Sequence, residues 1–142
     1  MRSSSCKAIT IGIAATLGLF SAGAYAADHP VTVGGGGGLT FAPNNLSIAA
    51  GDTVTFSYAG GAAPHNVRSD STAVTQFRCA NGCDGAGGDG TPTGTAWTST
   101  VTFPTAGSVP FYCEIHGAPG GVGMAGTITV TVPVDLQSFE VD

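Results

Sequence analysis

Positive charge is almost missing from this 142-residue sequence, which sets four Lys and Arg against nine Asp and Glu. Nucleic-acid binding needs a basic face to neutralise phosphates, so no nucleic-acid partner is expected. A long hydrophobic run is missing too. The apolar stretch from Ile9 to Phe20 is short of the ~20 residues that a spanning helix needs. It is preceded by Arg2 and Lys7 and followed by the small-x-small site Ala24-Tyr25-Ala26, the order of a secretory signal peptide. Residues 1–26 are therefore expected to be cleaved off, leaving no membrane anchor and a single domain over 27–142 in the periplasm or outside the cell. No paired arginines precede the stretch, which points to export as an unfolded chain. Histidine is the next shortage, with three in all. That number, with no Ser-His-Asp or paired-acid arrangement in view, argues against an enzyme. The five glycines Gly34 to Gly38 lack the Lys-Ser/Thr pair and the helix of a phosphate-cradling loop.

What remains from Ala27 onward carries Arg68 and Arg78 against all nine acidic side chains, a balance of −7. An acidic surface of this kind favours a partner with a basic docking face. Leucine is scarce in this part while Gly, Thr and Val abound, a composition suited to strands and tight turns. Val54, Phe56 and Tyr58 alternate with Thr53, Thr55 and Ser57 in one clear strand opened by Gly51-Asp52. Alternation returns at Trp97, Val101 and Phe103, interrupted by Ser99. It continues at Val109, Phe111 and Cys113, then at Met124, Ile128, Val130 and Val132. Shorter signals fall at Val31 to Val33, Leu39 to Phe41 and Leu46 to Ile48. Residues 68–94 read as a polar, glycine-rich surface excursion, and the tail after Pro133 as at most a short edge strand. Several short strands with one apolar face each describe an all-β sandwich, expected as a monomer without helix or repeat.

Cysteine parity separates structure from chemistry. Cys6 leaves with the signal segment. Cys79 and Cys83, with three residues between them in an exported chain, read as a disulfide pinning the excursion, with Cu(I) binding by the pair as the alternative. Cys113 is then the thiol without a partner. Strand parity puts Cys113 and Met124 on inward faces at the ends of adjacent strands, joined by a loop, Gly117 to Gly123, with His116 at its start. His65, after Pro64 at a distant strand edge, completes two imidazoles, one thiolate and one thioether, the ligand set of a blue-copper site. Each alone has an ordinary reading: a core Met, a solvated His, an inert buried thiol. Two His and one Cys also suit zinc, but thioether is a poor zinc ligand and tips the set towards copper.

Three runs carry a family resemblance: Val101-Thr102-Phe103-Pro104-Thr105-Ala106-Gly107, Phe111-Tyr112-Cys113-Glu114-Ile115-His116 and Gly123-Met124-Ala125-Gly126-Thr127-Ile128. With Phe41-Ala42-Pro43, Gly51 to Phe56 and Pro64-His65-Asn66-Val67, they resemble the plastocyanin/azurin family over roughly residues 31 to 132. The resemblance implies a Greek-key, cupredoxin-like sandwich with one type 1 copper ion near one end, and an electron port at the His116 edge within an apolar patch. It also implies that Asn66 ties the two ligand loops by hydrogen bonds. Two features depart from plastocyanins proper: the longer interval from His116 to Met124, and the Cys79/Cys83 excursion. The expected function is a soluble one-electron carrier serving redox partners such as a cytochrome or a copper enzyme. The alternative is a copper-sequestering or copper-delivery protein. Outside the family pattern, cleavage after Ala26 would expose Ala27-Asp28-His29, whose amine, backbone amides and imidazole could wrap a second, square-planar Cu(II).

Overall fold

The computed structural model describes residues 25–35 and 38–133; most of the expected signal segment, Gly36-Gly37 and the tail from 134 lie outside the described residues. Among the described residues ten strands follow one another: β1 (Asp28–Val33), β2 (Phe41–Ala42), β3 (Asn45–Ala49), β4 (Thr53–Tyr58), β5 (Val67–Ser69), β6 (Arg78–Ala80), β7 (Gly82–Cys83), β8 (Trp97–Thr102), β9 (Gly107–Ala118) and β10 (Val122–Thr131). No α-helix occurs among the described residues. The strands form two sheets, ordered β2-β1-β4-β8 and β3-β10-β9-β5-β6-β7, the all-β sandwich expected from the alternation.

Side chains of period two drive the layering, because every second residue of a strand points to the same face. Val54, Phe56 and Tyr58 of β4 are buried against Val109, Phe111 and Cys113 of β9 and Ile128 and Val130 of β10 in one core. Its centre is aromatic. Phe111 meets Phe41 and Phe56 edge-on at 4.9 and 5.6 Å between centroids, and Phe77 lies 5.9 Å from both Phe56 and Phe103. Gly126 occupies an inward position between Met124 and Ile128, where a Cβ would come within 2.5 Å of the Phe111 ring. The glycine leaves the room that the ring fills.

Several local expectations are corrected. β2 begins at Phe41, and Leu39 is exposed. β10 stops at Thr131, so Val132 faces solvent instead of the core. The excursion is more than a surface loop: β6 and β7 extend the larger sheet, Cys79 and Ala80 are fully buried, and Phe77 joins the aromatic cluster. Strands of two or three residues are too short to display a period, which is why the sequence hides them. Cys79 and Cys83 do pair as a disulfide, across the register of β6 and β7. Ser99, the break in the β8 pattern, has a partner-based cause. It is buried, donates to the Ala80 carbonyl at 2.8 Å and accepts the Gly82 N–H at 3.2 Å, so it docks the disulfide hairpin onto the other sheet.

Candidate metal centre

β9 and β10 build most of the site through a mismatch in their pairing. Tyr112 faces Ala125 and Gly117 faces Gly123, so the four residues Cys113 to His116 lie opposite Met124 alone. A bulge of this kind bends the strand and re-aims its side chains, and here Cys113 Sγ and His116 Nδ1 come within 3.7 Å of each other. The expected loop from Gly117 to Gly123 is instead a hairpin, paired at Gly117↔Gly123 and Ala118↔Val122, with Pro119-Gly120-Gly121 as its turn. Glycine is required on both sides of that pair. A Cβ on Gly117 would overlap the Met124 carbonyl, and Gly123 has a left-handed φ of 67°. A run rich in glycine carries no strand signal of its own, so the pairing is visible only in three dimensions.

His65 arrives from the segment between β4 and β5. Its backbone N–H donates to Thr93 O and its carbonyl accepts Thr93 N–H, both at 3.1 Å, and Trp97 Nε1 also donates to that carbonyl at 3.2 Å. Tyr58 packs edge-on against the imidazole, 5.0 Å between centroids. Gly34 lets the backbone approach the same ring, since a Cβ there would lie 3.1 Å from it.

The three donors converge. Cys113 Sγ lies 3.6 Å from His65 Nδ1 and 3.7 Å from His116 Nδ1, and the two nitrogens are 3.2 Å apart. The centre of a triangle with these edges is about 2.0 Å from each atom, close to the ion-to-imidazole bond length of a small divalent metal. Cys113 is a free, fully buried thiol, His65 is 2% exposed and Met124 1%, while His116 is half-buried. Burial first, and the neighbouring His116 second, hold the His65 imidazole below its ordinary pKa, which leaves a lone pair free for a metal at neutral pH. The residues fit the ion: soft sulfur and two imidazoles, buried at His65, Cys113 and Met124 and partly exposed at His116.

A two-sheet β-sandwich holding this donor set at one end defines a cupredoxin. The sequence model described as copper binding proteins, plastocyanin/azurin family, matches residues 28–131, and the chain belongs to that family, with copper as its metal. Chloroplast plastocyanin of Hordeum vulgare is 36% identical over 127 residues, covering 87% of this chain and 76% of that protein. Plastocyanin of Daucus carota is 34% identical over 101 residues, covering 67% and 91%. Against the Physcomitrium patens plastocyanin, 38% identical over 101 residues, the match covers 69% of this chain and about half (54%) of the relative. Among solved structures, a reduced amicyanin variant superposes with a TM-score of 0.51 at 23% identity over 73% of this chain and 82% of its own. The copper-containing nitrite reductase of Thermus scotoductus gives 0.53 at 20% identity over 75% of this chain, but only 23% of the reductase. At these identities the two structures speak to the fold.

Asn66 is fully buried where the resemblance implies a tie between ligand segments: its Oδ1 accepts the Glu114 N–H at 2.9 Å. The sequence reading missed what lies around it. Glu114, which alternation sets on the face opposite Cys113, receives Arg68 Nη1, Arg78 Nε and Asn66 Nδ2 at 2.7, 2.7 and 2.6 Å. Burial pushes its carboxyl pKa up, but the bonds from Arg68, Arg78 and Asn66 outweigh burial and leave the group ionised below its ordinary range. The signal that could have found this is register: Arg68 pairs with Tyr112, two residues from Glu114 on the same face.

The Ala27-Asp28-His29 stretch lies far from this cluster in the chain and is extended. Thr53 N–H donates to Ala27 O at 2.9 Å, and Asp28 and His29 are in register with Thr53 and Val54 in β1. Asp52 takes both groups that a chelate would use at its ends, accepting Ala27 N–H at 2.8 Å and meeting His29 Nε2 at 2.9 Å. Wrapping a metal there would require this strand end to leave its sheet. Asp52 also accepts Ala49 N–H at 3.0 Å. The bond to His29, then those from Ala27 and Ala49, lower the Asp52 pKa. A carboxylate with a depressed folded pKa stabilises the fold above its unfolded value, about 3.9, and loses that contribution as pH falls through the folded value. Asp52→Asn is therefore expected to have a lower urea midpoint at pH 7, with the two proteins converging as the pH drops well below 4. Parallel urea titrations from pH 7 to pH 2 check this.

Proposed function

We propose that this protein is an exported one-electron carrier whose copper is held by His65, Cys113, His116 and Met124. The observation that carries the reading is the triangle of Cys113 Sγ and the two Nδ1 atoms, buried on three sides and open at His116. A copper ion bound there supplies a Cu(I)/Cu(II) couple, and its thiolate and thioether suit the reduced state while imidazole suits both. The chain's part is to hold the donors still. Cys113 and His116 are fixed by the bulge, and His65 is fixed by Thr93 and Trp97, so little rearrangement accompanies a change of valence. Water is kept from the inner donors, and His116 offers the short route outward. Ile115, next to it in the chain, and Val122 of β10 are both more than half exposed and offer apolar surface on which a redox partner can seat. The acidic balance of the mature chain supports a partner with a basic docking face. The Cys79–Cys83 disulfide and the N-terminal segment support a periplasmic or secreted location, with cleavage after Ala26.

The copper-loaded mature protein is expected to give a reversible one-electron couple by voltammetry and to oxidise a reduced basic cytochrome in stopped flow. The rate should fall steeply as ionic strength rises and screens the opposite charges. A sequestering protein would instead release copper on reduction, and loss of metal in the first reductive sweep would overturn the carrier reading.

A further inference from the structure

Carrying electrons leaves the excursion of residues 68–94 without a role, yet its contacts gather on the segments that bear the donors. Asn66 directly follows His65, and Glu114 directly follows Cys113. Asn66 Nδ2 donates to Glu114 Oε2 at 2.6 Å and to the Gly90 carbonyl at 2.9 Å. Arg78 Nε donates to the same Oε2 at 2.7 Å, and Arg78 Nη1 to Asp84 Oδ2 at 3.0 Å. Asp84 Oδ1 accepts the Gly90 N–H at 2.8 Å. These bonds close a ring through Asn66, Glu114, Arg78, Asp84 and Gly90, of which the last three belong to the excursion. Gly90 has no substitute in it, because a Cβ would overlap the Arg78 carbonyl. Val67 pairs with Cys79 and Cys79 with Cys83, so the disulfide hairpin carries the strand that presents Arg78. At its far end the excursion grips His65 itself through Thr93.

The ring surrounds a fully buried amide and a largely buried carboxylate, where hydrogen bonds to charge are strong and an unmade one is costly. Bonds that share members also hold one another in place. We propose that the disulfide-pinned excursion is a clamp on the copper site. Arg78 and Glu114 act as positioning residues that, through Asn66, fix the His65 and Cys113 backbones relative to each other. The clamp rests on the copper reading but concerns only residues that do not touch the metal. The rival is an excursion that contributes stability alone.

Arg78→Gln and the double variant Cys79→Ser/Cys83→Ser separate the two, with Arg68→Gln as control, since Arg68 is half exposed and outside the ring. In variants shown to be folded by circular dichroism, Cu(I) affinity measured against a competing chelator should drop about 10–100-fold, as for other lost supports of metal ligands. The visible band of the Cu(II) form should shift and broaden. Arg68→Gln removes a half-exposed partner from the other Glu114 oxygen and leaves the ring closed, so it should stay within about fivefold. In metal-free Arg78→Gln the Glu114 amide, held by Asn66, should exchange its hydrogen about tenfold faster. Arg78→Lys keeps the charge but not the fork that reaches Glu114 and Asp84, and is expected to fall with Arg78→Gln. If the double variant does not fold, the Arg78 variants carry the test. Folded Arg78→Gln with wild-type affinity, band and exchange would overturn the clamp, as would full rescue by lysine. A wild-type protein giving no thiolate-to-copper band would instead count against the copper reading.

Discussion

Cys113→Ser protein titrated with Cu(II) is expected to stay colourless where the wild type turns intensely blue or green. The colour comes from an electron moving from thiolate sulfur to Cu(II) on absorbing light, and a serine oxygen holds its electrons too tightly for that. A metal-bound cysteine is a thiolate, whereas a serine hydroxyl does not ionise near neutral pH. Copper affinity should fall by more than the ~10–100-fold cost of losing a supporting residue, because a bond to the metal itself is lost. The fold should survive. Serine is close to cysteine in size, and its hydroxyl would sit among His65 Nδ1 and His116 Nδ1, which now lie 3.6 and 3.7 Å from Sγ and can share hydrogen bonds with it. Visible titration alongside urea unfolding checks both halves. An intense band retained by the folded variant would remove Cys113 from the site.

Phe111→Ala is expected to be the most destabilising single core change, costing about 3–5 kcal/mol. Against a total stability of about 5–15 kcal/mol, that is a large share of what keeps the chain folded. The value should lie in the upper part of the range because the space cannot close. Phe111 is 1% exposed and wedged edge-on between Phe41 and Phe56, and the residue facing it across the sheet is Gly126, which has no side chain to move in. The measurement belongs on metal-free protein, since copper stabilises the folded state by mass action and would mask part of the loss. A change below about 1 kcal/mol would show that the aromatic cluster is not the centre of the core.

The part of this structure that is legible in the sequence has one physical source. Strands β4, β8, β9 and β10 are long enough for period two to show, so the inward faces of Val54, Phe56, Val109, Phe111, Cys113, Ile128 and Val130 could be assigned from alternation. Parity left Cys113 as the thiol without a partner, and the residue types of His65, His116 and Met124 carried the chemistry of copper. What escapes is pairing and packing that leave no period in the sequence. Gly117 and Gly123 read as loop because glycine carries no propensity for a strand, although their close backbone approach builds the bulge that brings Cys113 and His116 together. The disulfide hairpin read as surface because its strands are two and three residues long. Glu114 alternates onto the face opposite Cys113, and nothing local announces that Arg68, Arg78 and Asn66 will arrive there.

The sandwich, the donor types and the chemistry of copper follow from the order of residues along the chain, because alternation and ligand softness are local properties. The spacing of the donors, the tie of the excursion to them and the diversion of Ala27 and His29 to Asp52 were decided by tertiary structure. The meetings that decide them, of His29 with Asp52, His65 with Cys113 and His65 with His116, join residues 23, 48 and 51 positions apart, and register and close packing govern them rather than any neighbour in sequence.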